Sequence, residues 1–212
     1  MLSIYFGSPG CGKTTLIAKT AKRDKLHKFI FTNVALSSVI YNFLKSEDLQ
    51  TLGSWTPCSD SLLLLDEAGI EYNNRKYKSM SQSTIAWFKL HRHFGVDVNV
   101  YSQSWDDVDI TLRRLADRYF YLRKIGPFTL SRRVYKTVMV DDVTHQIIDG
   151  YRMERGIWLL LQPLRLFGFG NIFSGLRGWG LTFRPFYYKY FDTHSVPAGV
   201  PALFGSPRSP KK

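Results

Sequence analysis

The sequence predicts an α/β fold in which helices cover both faces of a mostly parallel sheet, and three observations support this prediction. Short apolar runs alternate with longer segments of helical spacing over roughly the first 125 residues. One of these runs is four consecutive leucines, Leu62–Leu65, as expected for a strand that is buried on both faces. The first run, Leu2–Phe6, continues through a glycine-rich turn into a helical segment. Repeats of strand and helix favour parallel pairing with crossover connections.

The first half of the chain supplies three predicted strands. Leu2–Phe6 is a short apolar run that ends at a glycine, and the helix that follows it spans residues 13–23. A second strand is predicted at residues 28–32 and a third at residues 62–65. Between them, residues 37–46 are predicted to form a helix with Ser37 as its N-cap, because serine hydroxyls accept from free backbone N–H groups there.

The second half continues the alternation and then changes character. Residues 80–93 are predicted to form a helix, 96–101 a fourth strand, 106–116 a short helix and 119–122 a fifth strand. From residue 128 the sequence alternates without helical spacing, which predicts a small β-hairpin over about 128–150 that turns near Asp141 and Asp142. We therefore divide the chain into a domain at 1–150 and a basic, aromatic-rich, Gly/Pro-rich C-terminal extension at 151–212.

The charge of the chain is concentrated in this extension. Lys and Arg outnumber Asp and Glu by 29 to 17, and residues 151–212 hold 9 of the basic residues but only 2 of the acidic ones. A basic surface favours an anionic partner, either a nucleic acid or an acidic membrane face. The two cysteines are too few for a disulfide framework, and the N-terminus shows no secretory signal pattern, so we expect the protein to act in the cytoplasm.

The glycine-rich turn matches a phosphate-binding loop, or P-loop. Its sequence FGSPGCGKTT contains the pattern G-x-x-x-x-G-K-[ST] between a predicted strand and a predicted helix. Glycines let successive backbone N–H groups approach phosphate oxygens, the lysine reaches the β- and γ-phosphates, and the hydroxyl binds Mg²⁺. The fold is therefore predicted to be a P-loop NTPase that binds ATP and Mg²⁺. The predicted nucleotide-binding residues are Gly7, Ser8, Pro9, Gly10, Cys11, Gly12, Lys13, Thr14 and Thr15.

A second set of polar residues is predicted to complete this site. Asp66 and Glu67 follow the buried leucine strand, where an aspartate would hold Mg²⁺ together with Thr14 and a glutamate would polarise the attacking water. Gln103, with Ser102 as the next candidate, ends the fourth strand. In ATPases with an extra strand between the two motif strands, a polar residue at this place senses the γ-phosphate. Lys13, Glu67 and Gln103 are accordingly the predicted catalytic residues.

These motifs together resemble the zonula occludens toxin-like (Zot) proteins, the morphogenesis ATPases of filamentous phages. The resemblance rests on the P-loop, on LLLLDEAG, and on the stretch KLHRHFGVDVNVYSQSWDDVDITLRRLADRYFYLRK, and it covers about residues 2–150. It implies a fold similar to FtsK/HerA-like translocases and a ring-like homo-oligomer with ATP sites between subunits. It also implies a role in virion assembly and export, with DNA or coat proteins as partners, at the cytoplasmic face of the host's inner membrane.

In such oligomers an arginine of a neighbouring subunit stabilises charge on the γ-phosphate. Arg113 is our first candidate for this role, and Arg75 and Arg114 are the alternatives. The family commonly carries a transmembrane helix after the ATPase domain, but residues 157–176 contain Gln162, Pro163 and Arg165 and are poorly suited to span a bilayer. Peripheral membrane contact, nucleic-acid binding, protein binding, and packing onto the ATPase core or a neighbouring subunit are all open for this extension.

Two other functions remain open at this point, and a third is less favoured. The ATPase could be a DNA packaging or conjugative translocase, or the protein could be a nucleotide-dependent scaffold that binds membrane or coat protein. A nucleotide kinase is disfavoured, since kinases do not need a hydrolytic glutamate such as Glu67 next to the metal-binding aspartate.

Overall fold

A single mixed sheet organises the part of the chain that the computed structural model describes, which comprises residues 1–67, 81–140, 147–153 and 179–191. Its strands are β1 Leu2–Phe6, β2 Phe29–Thr32, β3 Asn42–Phe43, β4 Ser61–Leu65, β5 Val96–Ser102, β6 Arg118–Ile125, β7 Phe128–Val140, β8 Ile147–Met153 and β9 Trp179–Phe183. The α-helices are α1 Lys13–Arg23, α2 Ser46–Gln50, α3 Gln82–Leu90 and α4 Ile110–Leu115, and a 3₁₀ helix spans Arg184–Tyr190.

Six of these strands form a parallel half of the sheet, in the order β3-β2-β4-β5-β1-β6. Ile4 of β1 is in register with Val100 of β5 on one side and with Tyr119 of β6 on the other. The strand β5 therefore separates β1, which leads into the P-loop, from β4, which leads into Asp66 and Glu67. This is the extra-strand arrangement for which a polar residue at the end of β5 is expected beside the phosphates.

Helices cover both faces of the parallel half, as the sequence predicts. Leu63 and Leu65 of β4 pack in the same core cluster as Phe88 of α3 and Leu112 of α4. Leu62 and Leu64 point to the opposite face, where the core cluster contains residues of α1, including Ile17, Ala18 and Ala21. All four leucines are at most 4% exposed, because a strand buried on both faces places alternate side chains in two cores.

The remaining strands form an antiparallel half. β7 follows β6 through the two-residue turn Gly126–Pro127 and pairs antiparallel with it. On its other edge, β7 pairs with β9 over residues 128–132 and with β8 over residues 134–140. β7 and β8 thus form the predicted hairpin, and its second strand extends to Met153, beyond the predicted end at about residue 150. The predicted turn near Asp141 and Asp142 lies outside the described residues.

The helix predicted at residues 37–46 is wrong. The segment instead forms a loop, the short strand β3 and, from Ser46, the helix α2. Ser38 has a φ of 59°, and the Leu44 N–H donates to the Thr32 carbonyl, which ties the chain to β2 as a strand. Ile40 is 96% exposed, so the apolar residues here do not share one helical face. Tertiary pairing with β2 therefore outweighs the local helical pattern.

Two predicted helices start later than expected. α4 begins at Ile110 because the Asp109 carboxylate accepts from the Thr111 N–H and so caps the helix there. Similarly, the Ser81 hydroxyl accepts from the Thr84 N–H, and α3 begins at Gln82. None of the helices among the described residues is long and apolar enough to span a membrane.

The sequence did not predict β9 or the 3₁₀ helix, which lie in the extension assigned to residues 151–212. The boundary at residue 150 stays a prediction, but β9 joins the same sheet as the first domain, and Phe191 forms an isolated β-bridge with Leu36. The apolar segment at 157–176 lies outside the described residues.

Candidate nucleotide-binding site

The loop between β1 and α1 depends on glycine at three positions. Gly10 and Gly12 have φ values of 71° and 99°, in the left-handed region that side chains with a Cβ rarely adopt. Gly7 needs its glycine for a different reason, because a Cβ there would lie 2.5 Å from the Leu122 carbonyl oxygen of β6. The loop is thus wound tightly against β6 and opens at the N-terminus of α1, where helix N–H groups favour anions.

Lys13 and the first turn of α1 close this loop. The Leu16 N–H donates to the Gly12 carbonyl at 3.0 Å, which starts the helix directly after the last glycine. The Lys13 ammonium donates to the Gly7 carbonyl at 3.1 Å, and the residue is only 6% exposed. A buried lysine that folds back over a glycine loop places its positive charge where the β- and γ-phosphates of a nucleotide would lie.

Asp66 lies at the end of β4, directly beside Thr14. The Thr14 hydroxyl donates to a carboxylate oxygen of Asp66 at 2.9 Å. Asn33, which follows β2, fixes the backbone of Asp66 with a pair of 2.8 Å hydrogen bonds: its amide donates to the Asp66 carbonyl and accepts from the Asp66 N–H. Sequence reasoning missed Asn33. The signal was available, since Asn33 is the polar residue at the end of the strand adjacent to β4.

The electrostatics of Asp66 fit a cation site. Burial and the neighbouring Glu67 carboxylate raise the pKa of Asp66 to about 6, although the Thr14 hydrogen bond and the Lys13 ammonium oppose this shift. The carboxylate therefore lacks sufficient compensating positive charge. A hydroxyl and a carboxylate oxygen side by side are hard ligands of the kind that Mg²⁺ prefers together with phosphate oxygens. The residues present thus fit the predicted magnesium ion.

Glu67 and Gln103, which follow β4 and β5, meet at the cleft. The Gln103 amide donates to a carboxylate oxygen of Glu67 at 3.0 Å, and the Lys13 ammonium lies 3.8 Å from the same oxygen. Glu67 has a φ of 48°, an uncommon value for glutamate. Ser102, the second candidate, is buried, and its carbonyl accepts from the Gly7 N–H.

These residues surround a cleft of about 680 Å³, a size that suits a nucleotide. Six of the nine predicted loop residues line it, whereas Gly7, Ser8 and Cys11 do not. Cys11 is fully buried, and its carbonyl accepts from the Thr129 hydroxyl at 2.6 Å. The cleft is lined by Pro9, Gly10, Gly12, Lys13, Thr14, Thr15, Glu67, Gln103, Arg184, Tyr188 and Phe191.

The last three lining residues come from the C-terminal extension, and sequence reasoning missed them. One guanidinium nitrogen of Arg184 donates to the Gly10 carbonyl at 3.2 Å, and others donate to the Gly126 and Pro127 carbonyls of the β6–β7 turn. Arg184 therefore joins the P-loop to the antiparallel half. Only the density of aromatic and basic residues in the extension marked it beforehand, and that pattern does not identify a position.

Two of the three arginines proposed to act in a neighbouring subunit, Arg113 and Arg114, do not line this cleft. Arg113 is 3.5 Å from the Asp106 carboxylate, and its guanidinium lies 5.5 Å from the centre of the Trp105 ring. It does not line the cleft of its own subunit, and its side chain is 15% exposed. Arg114 is exposed, while Arg75 lies outside the described residues. The trans role of Arg113 stays a prediction.

Comparison with known families identifies the relationship of this chain. The family model described as Zonular occludens toxin (Zot) matches residues 1–156, about three quarters of the sequence. The chain belongs to the Zot family. The solved N-terminal Zot domain from Neisseria meningitidis has the same fold, with a TM-score of 0.54 and 18% identity, covering 74% of this chain and 96% of that one.

Other solved structures are more distant from this Zot protein. The genome packaging NTPase of Sulfolobus turreted icosahedral virus 2, solved in complex with ATP-gammaS, gives a TM-score of 0.44 and 12% identity, covering 70% and 95% of the two chains. Comparison with curated protein sequences finds no match. The Zot match ends at residue 156, so Arg184, Tyr188 and Phe191 lie beyond the part of the chain that the family model covers.

Proposed function

We propose that this Zot-family protein is an ATP-hydrolysing motor in the assembly and export of a filamentous phage-like virion, where it moves DNA or coat subunits. One observation carries the hydrolytic part of the proposal. Glu67 reaches into the P-loop cleft, where it contacts both the Gln103 amide and the Lys13 ammonium. A carboxylate held in this way beside the γ-phosphate position can orient and deprotonate a water molecule.

Each residue then has a distinct role. Lys13 neutralises the β- and γ-phosphates, while Thr14 and Asp66 hold Mg²⁺, which supplies further neutralising charge when bound. Glu67 is the general base. Gln103 fixes the Glu67 carboxylate through its amide and is placed to respond to the presence of the γ-phosphate. Because Gln103 directly follows β5 and Glu67 lies two residues after β4, loss of the γ-phosphate would change contacts at the ends of two adjacent strands.

Removal of the Lys13 charge is the primary test of nucleotide turnover. We expect Lys13→Ala to abolish ATP hydrolysis, measured as phosphate release, while the circular dichroism spectrum remains that of the parent protein. Lys25→Ala removes an exposed lysine that does not line the cleft and should retain full turnover. Unchanged hydrolysis in Lys13→Ala would refute the assignment of this cleft as the ATPase site.

Glu67→Gln separates binding from hydrolysis. The amide keeps the shape of the side chain but cannot accept a proton, so the variant should bind ATP and fail to turn it over. We expect a reduction in kcat of at least about 100-fold, as is typical for loss of a general base, and accumulation of bound ATP on a filter or spin column. Glu47→Gln, at an exposed position in α2, is the matched control.

The load and the assembly of the motor form a separate part of the proposal. Zot membership favours virion morphogenesis, and the basic extension suits an anionic partner such as DNA or the cytoplasmic face of the inner membrane. We propose a homo-oligomeric ring with ATP sites between subunits and with Arg113 acting in trans. Analytical ultracentrifugation with ATP and with ADP tests whether the ring forms. If Arg113 acts across the interface, inactive Arg113→Ala subunits mixed with inactive Lys13→Ala subunits should recover ATP hydrolysis.

Stimulation by DNA distinguishes the alternatives. A packaging or conjugative translocase should hydrolyse ATP faster when DNA is added, with a strong dependence on salt concentration. A nucleotide-dependent scaffold should instead change its oligomeric state with ATP and show little turnover in the assembled form. Turnover that rises with phage coat protein but not with DNA would identify coat subunits as the load.

A further inference from the structure

The C-terminal segment, residues 179–191, forms one wall of the nucleotide cleft. Its first part, β9, pairs with β7 from Phe128 opposite Phe183 to Arg132 opposite Trp179. Its far end is also fixed, because the Ser37 N–H donates to the Tyr190 carbonyl at 2.7 Å and Leu36 forms a β-bridge with Phe191. The segment is thus held at both ends against the domain that carries the P-loop.

The 3₁₀ helix in this segment has two rows of side chains with different surroundings. Three residues per turn align Arg184, Tyr187 and Tyr190 in one row. The two tyrosines of this row contact α1: Tyr187 is 7% exposed and lies 6.0 Å from the Arg23 guanidinium, and the Lys22 ammonium lies 5.5 Å from the centre of the Tyr190 ring. Arg184, at the start of the row, reaches the P-loop instead. The next row contains Tyr188, followed at the end of the helix by Phe191, and both of these rings line the cleft.

Tyr188 and Phe191 form an aromatic pair in which the Tyr188 ring is accessible to solvent and the Phe191 ring is buried. Their ring centres are 6.2 Å apart and their planes are nearly perpendicular, at 84°. Phe191 is 7% exposed, whereas Tyr188 is 47% exposed. The accessible Tyr188 ring therefore lines a polar phosphate-binding cleft, with the buried Phe191 ring behind it. Such a ring offers a flat apolar surface on which a planar group of a ligand can stack.

Arg184 ties this pair to the P-loop. It is 9% exposed and donates to carbonyls of both the P-loop and the β6–β7 turn. Its side chain also fills the space next to Gly12, where a Cβ would lie 2.9 Å from Arg184 Cδ. Since Arg184 and Tyr188 are four residues apart in one helix, the position of the aromatic pair is fixed relative to the loop that holds the phosphates.

We propose that Tyr188, supported by Phe191, is the platform on which the base of the bound nucleotide stacks, and that Arg184 is a positioning residue that fixes this platform to the P-loop. Lys13 and Thr14 define where the β- and γ-phosphates lie, so the remaining wall of the same cleft is available to the nucleoside. This inference rests on the proposed function, because it requires a nucleotide in the cleft.

Isothermal titration calorimetry with two ligands tests the platform. Mg²⁺-ATP contains a base, whereas Mg²⁺-tripolyphosphate presents phosphates alone. We expect Tyr188→Ala to weaken ATP binding by about 5- to 100-fold, the range for loss of one base-stacking contact, and to leave tripolyphosphate affinity unchanged. Tyr188→Trp should restore ATP binding. Phe186→Ala is the matched control, because Phe186 lies in the same helix, is 69% exposed and does not line the cleft.

The outcomes separate this inference from the function on which it rests. The stacking role of Tyr188 would be overturned if Tyr188→Ala binds ATP with unchanged affinity while Lys13→Ala binds neither ATP nor tripolyphosphate. The ATPase assignment would then still stand. An equal loss of ATP and tripolyphosphate in Tyr188→Ala would also overturn it, since the residue would then act only through the structure of the cleft. Failure of the parent protein to bind either ligand would overturn the proposed function itself.

Discussion

The two halves of the sheet contribute to the cleft in different ways. In the parallel half, β1, β2, β4 and β5 end at the same edge, and the P-loop, Asn33, Asp66 and Gln103 follow directly from those ends. The antiparallel half contributes from its side, through Thr129 of β7 and through Arg184 after β9. The parallel half thus concentrates reactive groups by topology alone, whereas the antiparallel half supports the back of the loop and closes the cleft.

The two halves are therefore expected to differ in their contributions to folding stability and to nucleotide binding. The parallel half holds most of the two core clusters and should dominate the folding free energy. The antiparallel half contacts the P-loop through a few polar side chains, so disruption of these contacts should affect nucleotide binding more than folding.

The largest loss of stability is expected from the core of the parallel half. Leu64 of β4 is fully buried, and Leu64→Ala should lower the free energy of unfolding by about 2–5 kcal/mol through lost burial and cavity formation. Urea denaturation followed by circular dichroism measures this change. Leu26→Ala, at a residue that is 88% exposed, should unfold at nearly the same urea concentration as the parent protein. A similar effect of both substitutions would mean that β4 is not central to the core.

The contact between the two halves can be broken at Gly12. A Cβ at this position would lie 2.2 Å from the Thr129 hydroxyl, in addition to the strain of its positive φ. We expect Gly12→Ala to lower the free energy of unfolding by about 2–4 kcal/mol and to abolish ATP binding. Gly10→Ala is a matched control, because its φ is also positive but its Cβ would meet no atom within 4 Å.

A double variant sharpens this result. Thr129→Ala removes the hydroxyl that meets the new Cβ, so Gly12→Ala combined with Thr129→Ala should be less destabilised than the sum of the two single variants. Strict additivity in urea denaturation would show that the two halves are not in steric contact at this position.

Removal of the Arg184 guanidinium should have an intermediate effect. Arg184→Met keeps the length of the apolar stem but removes the donors to the Gly10, Gly126 and Pro127 carbonyls. We expect a loss of about 1–3 kcal/mol in the free energy of unfolding, together with weaker ATP binding in calorimetry. Arg123→Met, at an exposed site in β6, controls for the loss of one positive charge. Equal affinities of these two variants would count against the positioning role.

The smallest effect is expected from a single hydrogen bond. The Thr129 hydroxyl donates to the Cys11 carbonyl at 2.6 Å, and Thr129→Val removes this bond with little change in side-chain shape. A loss of about 0.5–1.5 kcal/mol is expected, measured by thermal or urea denaturation. Thr111→Val in α4 provides a comparison at a threonine that does not contact the P-loop. A larger decrease in the free energy of unfolding for Thr111→Val than for Thr129→Val would contradict the role of β7 in supporting the P-loop.

The sequence predicted five of the six strands of the parallel half, all but β3, because their patterns are local. Burial on one or two faces sets the periodicity of residues 2–6, 13–23 and 62–65. The P-loop motif is equally local, because it is contained in a segment of ten residues. Asp66 and Gln103 could be predicted because parallel strands bring their carboxyl ends to one edge. The failure at residues 37–46 has the opposite cause, since β2 determines the conformation of that segment.

The C-terminal segment could not be predicted because its order depends on distant partners. β9 is a five-residue strand, WGLTF, whose hydrogen bonds go to β7, about fifty residues earlier in the chain. The Arg184 side chain is a P-loop contact only because the 3₁₀ helix lies along α1. No local spacing encodes either contact, so Arg184, Tyr188 and Phe191 were hidden among many aromatic and basic residues.

The length of β7 has a mechanical consequence. Thr129, which supports the P-loop, and Val140 belong to one continuous strand, and eleven residue steps at about 3.3 Å place them about 36 Å apart. β6 and β9 pair with the two edges of β7 near the P-loop, over residues 128–134 and 128–132, and β8 pairs with one edge over residues 134–140. A tilt of about 5° at the loop would therefore move the far end by about 3 Å, given that same strand length. β7 thus runs from the Thr129 contact with the P-loop to a point far from the nucleotide cleft.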